Sequence, residues 1–384
     1  MSRAPTNRRA RAPLRLALSP RGPALRVAAI AWWCAACGAS TPATAPSASA
    51  VVPPAAAPAA LARVDVTVDS DPGVALAVRR IALSTGANRV PVLLVHGAGA
   101  GGVAVFDMAV PGYSLAEDLA RAGHPTYVVD LRGWGGSTRP AALDAPPEQN
   151  PPAVTSDVAM RDLAATVAWI RGREHRTIAV VGWATGGHWA GMYAASHPDD
   201  VSHLVMLNAL YGTPGPWTLR AGIEDPEHPG QPARSLGAYA LRGRRSLLST
   251  WDRNIPVDDK ASWRDPRVAD AYAGVAIASD PTSVTRDPPS VRVPSGPLHD
   301  SFLLALGTRL WNAADIRAAT LVVRSGLDFW SRPEDVAALR KELVHARRAE
   351  FVELPDATHL VFLDRPEHGR TRFVELLRAF LARE

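Results

Sequence analysis

Five short apolar runs, each ending abruptly on a glycine-rich or polar turn, constrain this chain more than any other feature. Residues 90–95 (VPVLLV) run into His96-Gly97-Ala98-Gly99-Ala100-Gly101-Gly102. Residues 126–129 run into Asp130-Leu131-Arg132-Gly133-Trp134-Gly135-Gly136-Ser137, and residues 178–181 (IAVV) into Gly182-Trp183-Ala184-Thr185-Gly186-Gly187. Residues 320–323 lead to Arg324-Ser325-Gly326-Leu327-Asp328, and residues 351–354 to Pro355-Asp356-Ala357-Thr358-His359. Apolar runs this short and without alternation suit strands buried on both faces, which belong to parallel sheets covered by helices.

Helical stretches separate these runs. Ser114-Leu115-Ala116-Glu117 is a capping box opening a helix to about residue 122, and Ser156 or Asp157 caps another through about residue 170. Further helical patterns cover 189–195, 333–343 and 372–381, and residues 201–207 read as another strand. Residues 64–68 and 74–83, joined by Ser70-Asp71-Pro72-Gly73, read as a hairpin. The expectation is an α/β fold: a doubly wound, mostly parallel sheet of about eight strands, with core segments 62–212 and 305–384. From residue 212 to about 298 the periodicity fades, between the sixth and seventh strands of the sheet.

The charge balance is decided by where the charge lies. The formal net charge is +5, yet residues 1–37 hold seven arginines and no acid, which leaves the remainder at about −2. A basic face for nucleic acid is therefore not expected on the folded part. The apolar run 27–36 is too short to span a bilayer and suits the core of a secretory signal. Ala35-Ala36-Cys37-Gly38 resembles a bacterial lipobox, which implies lipid attachment at Cys37. Residues 38–61, mostly Ala, Pro, Ser and Thr, read as a tether. Lysine occurs only at 260 and 341 against many arginines, the habit of a GC-rich bacterial genome. The expected location is the periplasm or the outer membrane, with the lipid as the only membrane contact. Cys34 and Cys37 are the only cysteines, so the folded part has no disulfide and no thiol nucleophile.

In open α/β sheets ligands bind beyond the carboxyl ends of the strands, where all five turns fall. Taken in order, they resemble the α/β-hydrolase superfamily across residues 62–384: an HG turn, a D-x-R-G-x-G loop, a nucleophile elbow, an acid after a late strand, and a terminal histidine. The resemblance implies that His359 is a general base oriented by Asp328, and that the N–H groups of Ala98 and Thr185 form an oxyanion hole. It also implies that residues 213–304 are a cap. The elbow departs from the family: Gly182 and Gly186 remain, but Ala184 stands where Gly-x-Ser-x-Gly places the nucleophile. A methyl group cannot attack a carbonyl.

Other residues carry groups that could fill the same roles. Thr185 carries a hydroxyl, but one step around the elbow turns its side chain away. Ser235 and Ser114 sit in elbow-like strings that follow no buried strand, and Asp356 is a rival acid on the histidine's own loop. His96, His188, Asp130 and Arg132 read as structural. The glycines of 97–102 serve close packing equally well. Trp183 and Trp330, with Trp217, Trp251 and Trp263, are candidates to line an apolar pocket for a small ester-like molecule. Neither metal-ligand spacing nor a phosphate-loop lysine is present, so no cofactor is expected. Three readings stay open: an esterase lacking its serine, a pseudo-hydrolase that only binds, and a non-hydrolytic enzyme using the His–Asp pair as base.

Overall fold

The computed structural model describes residues 60–85 and 88–383. The expected signal segment with Cys34 and Cys37, and nearly all of the tether, lie outside the described residues. The chain opens with the antiparallel pair β1 (Leu61–Asp69) and β2 (Ala75–Leu83), closed by a turn in which the Ser70 N–H donates to the Val74 carbonyl at 2.9 Å. Strand β1 thus starts at Leu61, one residue earlier than the expected core.

The sheet continues with β3 (Val92–Val95), helix α1 (Gly102–Phe106), helix α2 (Leu115–Arg121) and β4 (Thr126–Val129). Helix α3 (Ser156–Glu174), β5 (Ile178–Trp183), α4 (Thr185–Ser196) and β6 (Val201–Leu207) follow. The eight strands lie in the order β1-β2-β4-β3-β5-β6 and then two later strands; β2 runs antiparallel to both of its neighbours, β1 and β4, and all the other pairs are parallel. Between β6 and the seventh strand of the sheet come β7 (Tyr239–Gly243), α5 (Arg244–Asp252), α6 (Pro266–Ala278), β8 (Ser290–Pro294) and α7 (Gly296–Ala305). Strands β7 and β8 form their own antiparallel ribbon. The sheet is then completed by β9 (Ala319–Ser325), α8 (Pro333–Glu342), β10 (Ala349–Leu354) and α9 (Arg370–Leu381).

The period of two along each strand sorts its side chains onto opposite faces. Val92 and Leu94 pack with α2 and α9, whereas Leu93 and Val95 pack with α3 and α4. Both faces are therefore covered, and only the strand ends remain open for a site.

Two local expectations change. The glycine-rich turn expected over 97–102 runs at its last residue into the short helix α1, for which no helical pattern is expected from the sequence. Helix α3 is not capped by Ser156 or Asp157: its N-cap is Thr155, whose side chain caps nothing because it bonds to Asp157 instead. The first free N–H, that of Ser156, donates to Asp300 Oδ2 at 2.6 Å. The orphan donor of one helix is satisfied from α7, about 144 residues away in sequence, so no local pattern could show it.

Candidate active site

The site starts from a backbone constraint. Strand β5 passes into α4 through one residue, Ala184, at φ 55° and ψ −118°. A side-chain-bearing residue in this region is strained, and it persists only where its surroundings force it. Here they do. A Cβ on Gly182 would lie 2.1 Å from the Gly186 carbonyl oxygen, and one on Gly186 would lie 2.3 Å from that of Val95. The turn can be this sharp only with glycine at both places. Gly97 packs closely as well: a Cβ there would come within 3.2 Å of both the Ala184 methyl and the Trp183 ring.

The turn after β3 is held from the next loop. Trp134 Nε1 donates to the Ala98 carbonyl at 3.0 Å. His96 is fully buried; its Nδ1 bonds the Gly97 carbonyl at 2.7 Å, and its Nε2 accepts the Leu131 N–H at 3.1 Å. Burial pushes its pKa down, which keeps it a neutral staple. Asp130 accepts the N–H groups of Gly136 and Val103, and Arg132 pairs with the buried Asp162 at 2.6 Å. Ala98 and Thr185 both line the cavity beside Ala184, and among the described residues no backbone hydrogen bond engages their N–H groups.

From the far side, His359 arrives on the loop after β10. Its Nδ1 bonds Asp328 Oδ1 at 2.7 Å with both side chains buried. Asp328 also accepts the Trp330 N–H at 3.0 Å, and the Ser331 N–H and hydroxyl at 2.8 and 2.5 Å. Burial pushes this carboxyl up, but the charge and hydrogen bond of His359, with the Ser331 and Trp330 donors, outweigh it and hold the pKa below the usual range. Asp328 is thus a carboxylate aimed at the imidazole. The rival Asp356 is exposed and takes no part.

The His359 loop is pinned three ways. Trp183 Nε1 and Asn208 Nδ2 donate to the His359 carbonyl at 2.8 and 3.2 Å. Asp364, wholly buried, accepts the Thr358 N–H at 2.9 Å and hydroxyl at 2.8 Å, together with Trp251 Nε1 at 2.7 Å. Burial pushes Asp364 up to about 7.

These elements enclose a cavity of about 270 Å³ lined by Ala98, Gly99, Trp183, Ala184, Thr185, Trp330 and His359 from the sheet side. Trp183 and Trp330 line it. Trp217, Trp251 and Trp263 do not: Trp217 donates to the Trp330 carbonyl at 3.1 Å, Trp251 to Asp364, and Trp263 stacks on His368 at 3.8 Å. They fasten the inserted segment rather than face the cavity.

Among the described residues no hydroxyl hydrogen-bonds to the His359 imidazole. The Thr185 hydroxyl is buried without a partner, Ser114 donates to Asp107 at 2.8 Å, and Ser235 is exposed. His188 is buried between Trp311, which donates to its Nδ1 at 3.0 Å, and Ser156. Burial pushes its pKa down to about 4, so it stays neutral and structural. The sequence reading missed Arg242, Arg253, Tyr272 and Phe329, which also line the cavity. All but Phe329 come from the stretch without periodicity.

A mostly parallel sheet with a strained strand-to-helix elbow, and a His–Asp pair at its open end, defines the architecture of the α/β hydrolases. The chain belongs to the alpha/beta hydrolase fold family, whose model matches residues 90–366. It is 33% identical to epoxide hydrolase 3 of Xenopus tropicalis over 87 residues, 23% of this chain and 21% of that protein. To the (lyso)-N-acylphosphatidylethanolamine lipase of Bos taurus it is 27% identical over 163 residues, 42% of this chain and 41% of that protein. The chain thus spans between about a fifth and two-fifths of the length of these curated relatives. Among solved structures it is similar to a thermophilic esterase from Thermogutta terrifontis, with a TM-score of 0.53 and 21% identity over 84% of this chain and 98% of that one.

Proposed function

We propose that the chain is an enzyme of the hydrolase fold that works without an acyl-enzyme. His359 takes a proton directly from a small, carbonyl-bearing, ester-like substrate in the cavity. Asp328 holds the imidazole in register, and the N–H groups of Ala98 and Thr185 receive the negative charge. The inserted segment serves as the cap. Ala184 offers no electron pair, so covalent catalysis has no starting atom.

The observation that carries this reading is the 2.7 Å bond between His359 Nδ1 and a buried carboxylate whose other hydrogen bonds only orient it. A protein that merely binds gains nothing from burying a charge to aim an imidazole. In the proposed step the C–H pair beside the substrate carbonyl becomes the C=C bond of an enolate. The carbonyl π pair moves to oxygen, and the proton goes to Nε2 of His359.

Deuterium incorporation into aryl ketones and 3-oxo esters, followed by mass spectrometry, tests this. The wild type is expected to speed exchange, and His359→Gln to slow it on the order of 10²-fold or more. Asp328→Asn should lower the rate while leaving ligand-induced thermal stabilisation intact. Ligand-dependent stabilisation of the wild type with neither exchange nor hydrolysis would instead identify a pseudo-hydrolase that only binds.

We also propose export to the bacterial envelope and a lipid anchor on Cys37 as the single membrane contact, with no nucleic-acid partner. This rests on the arginine-rich start and the Ala35-Ala36-Cys37-Gly38 string. Metabolic labelling with an alkynyl fatty acid should mark the wild type and not Cys37→Ala; equal labelling of both rules the anchor out.

A further inference from the structure

The cavity lining carries two arginines and, among the described lining residues, no acid. Arg242 lies on β7 and Arg253 just past the end of α5. Among the described residues neither guanidinium has a hydrogen-bond acceptor or an ion-pair partner. Other buried guanidiniums of this protein are matched: Arg132 with Asp162 at 2.6 Å, Arg292 with Asp280 at 2.9 Å, and Arg332 with Asp335 at 2.8 Å. Arg253 is exposed and lies over the Phe329 ring at 4.4 Å, while Phe329 sits 4.8 Å from the His359 ring. That places Arg253 at the rim on the histidine side. Arg242 is half-buried, and burial together with the nearby Arg253 pushes its pKa down. The Tyr272 hydroxyl, also without a hydrogen-bond partner among the described residues, adds a donor to the same lining.

We propose that Arg242, with Arg253 at the rim, binds a carboxylate of the substrate, so that the cavity takes a small organic acid whose reactive carbonyl reaches His359. The proposal rests on the reading that this cavity holds the substrate of His359. A guanidinium presents paired donors that match both oxygens of a carboxylate, and the match strengthens away from water. A neutral ester would leave the half-buried Arg242 guanidinium unpaired, an arrangement with a standing cost. A singly charged acid removes that cost and also fixes which end of the ligand faces the elbow.

Calorimetric titration of the full chain with 3-phenylpropanoate, 3-phenylpropanamide and 2-phenylethylphosphonate tests the assignment without needing turnover. The carboxylate is expected to bind at least tenfold more tightly than the amide. Arg242→Gln should erase that preference and Arg253→Gln reduce it, with the melting temperature of the free Arg242→Gln protein unchanged because that side chain has no hydrogen bond or ion pair to lose among the described residues. Equal binding of acid and amide by the wild type overturns the proposal, as does an acid preference that survives both substitutions. Tenfold tighter binding of the phosphonate overturns the choice of carboxylate. The two readings fail separately. Acid preference without proton exchange removes the base mechanism alone, and exchange on neutral ketones without acid preference removes the anion site alone.

Discussion

Ala184→Ser turns this chain into an esterase: hydrolysis of p-nitrophenyl acetate rises on the order of 10³-fold over the wild type, with a burst of p-nitrophenolate in stopped flow. Little is missing from the hydrolytic set. The elbow already holds residue 184 at φ 55°, so serine inherits a strain that the fold has met for alanine. Its Cβ already faces the cavity beside Ala98, Thr185 and His359. One oxygen completes the set, and members of such a set act as a unit, so restoring one recovers far more than a single contact. A folded Ala184→Ser protein that hydrolyses no faster than the wild type would show that His359 does not reach the elbow. Intact mass spectrometry should find the acetyl group on Ser-substituted protein and not on the wild type.

Gly182→Ala has the largest expected cost to stability, about 3 kcal/mol or more. The new Cβ would lie 2.1 Å from the oxygen and 2.5 Å from the carbon of the Gly186 carbonyl, and 2.7 Å from the Gly187 Cα. All three are backbone atoms, and the backbone cannot retreat because Gly186 itself rests against the Val95 and His96 carbonyls. Denaturant midpoints measure the loss. Gly172→Ala, inside α3 with nothing within 4 Å of the added carbon, is the control and should be neutral or gain about 0.5–1 kcal/mol. A midpoint for Gly182→Ala equal to that of the control would refute the packing described for the elbow.

The elements that can be read from sequence share one physical property. A strand buried on both faces is mostly apolar and must end where the chain turns, so β3, β4, β5 and β6 are visible as strings without any partner in view. The glycines at 182 and 186 belong to the same class, because the crowding that requires them lies within a few residues and in the adjacent strand end. His359 and Asp328 stand 31 residues apart, yet each follows its own strand, and parallel strands deliver their ends to one edge. The inserted segment obeys no such rule. Strand β7 has no fully buried residue and α5 buries only Leu247 and Trp251, so few of their apolar positions mark a face that can be read. The tryptophans there look alike in sequence, but Trp217 and Trp251 serve as hydrogen-bond donors that tie the insertion to the Asp328 and His359 loops.

Sequence alone determined the layered sheet, the sharp turn with its methyl group, and the residues delivered to the strand ends, because burial and backbone sterics act on neighbours along the chain. Only the tertiary structure decided that Asp300 caps α3, that Asp364 anchors the histidine loop, and that Arg242 and Arg253 face the cavity without partners. Those outcomes depend on which charges find a counterpart across space. Pairing of that kind is a property of the folded arrangement, and no window of sequence contains it.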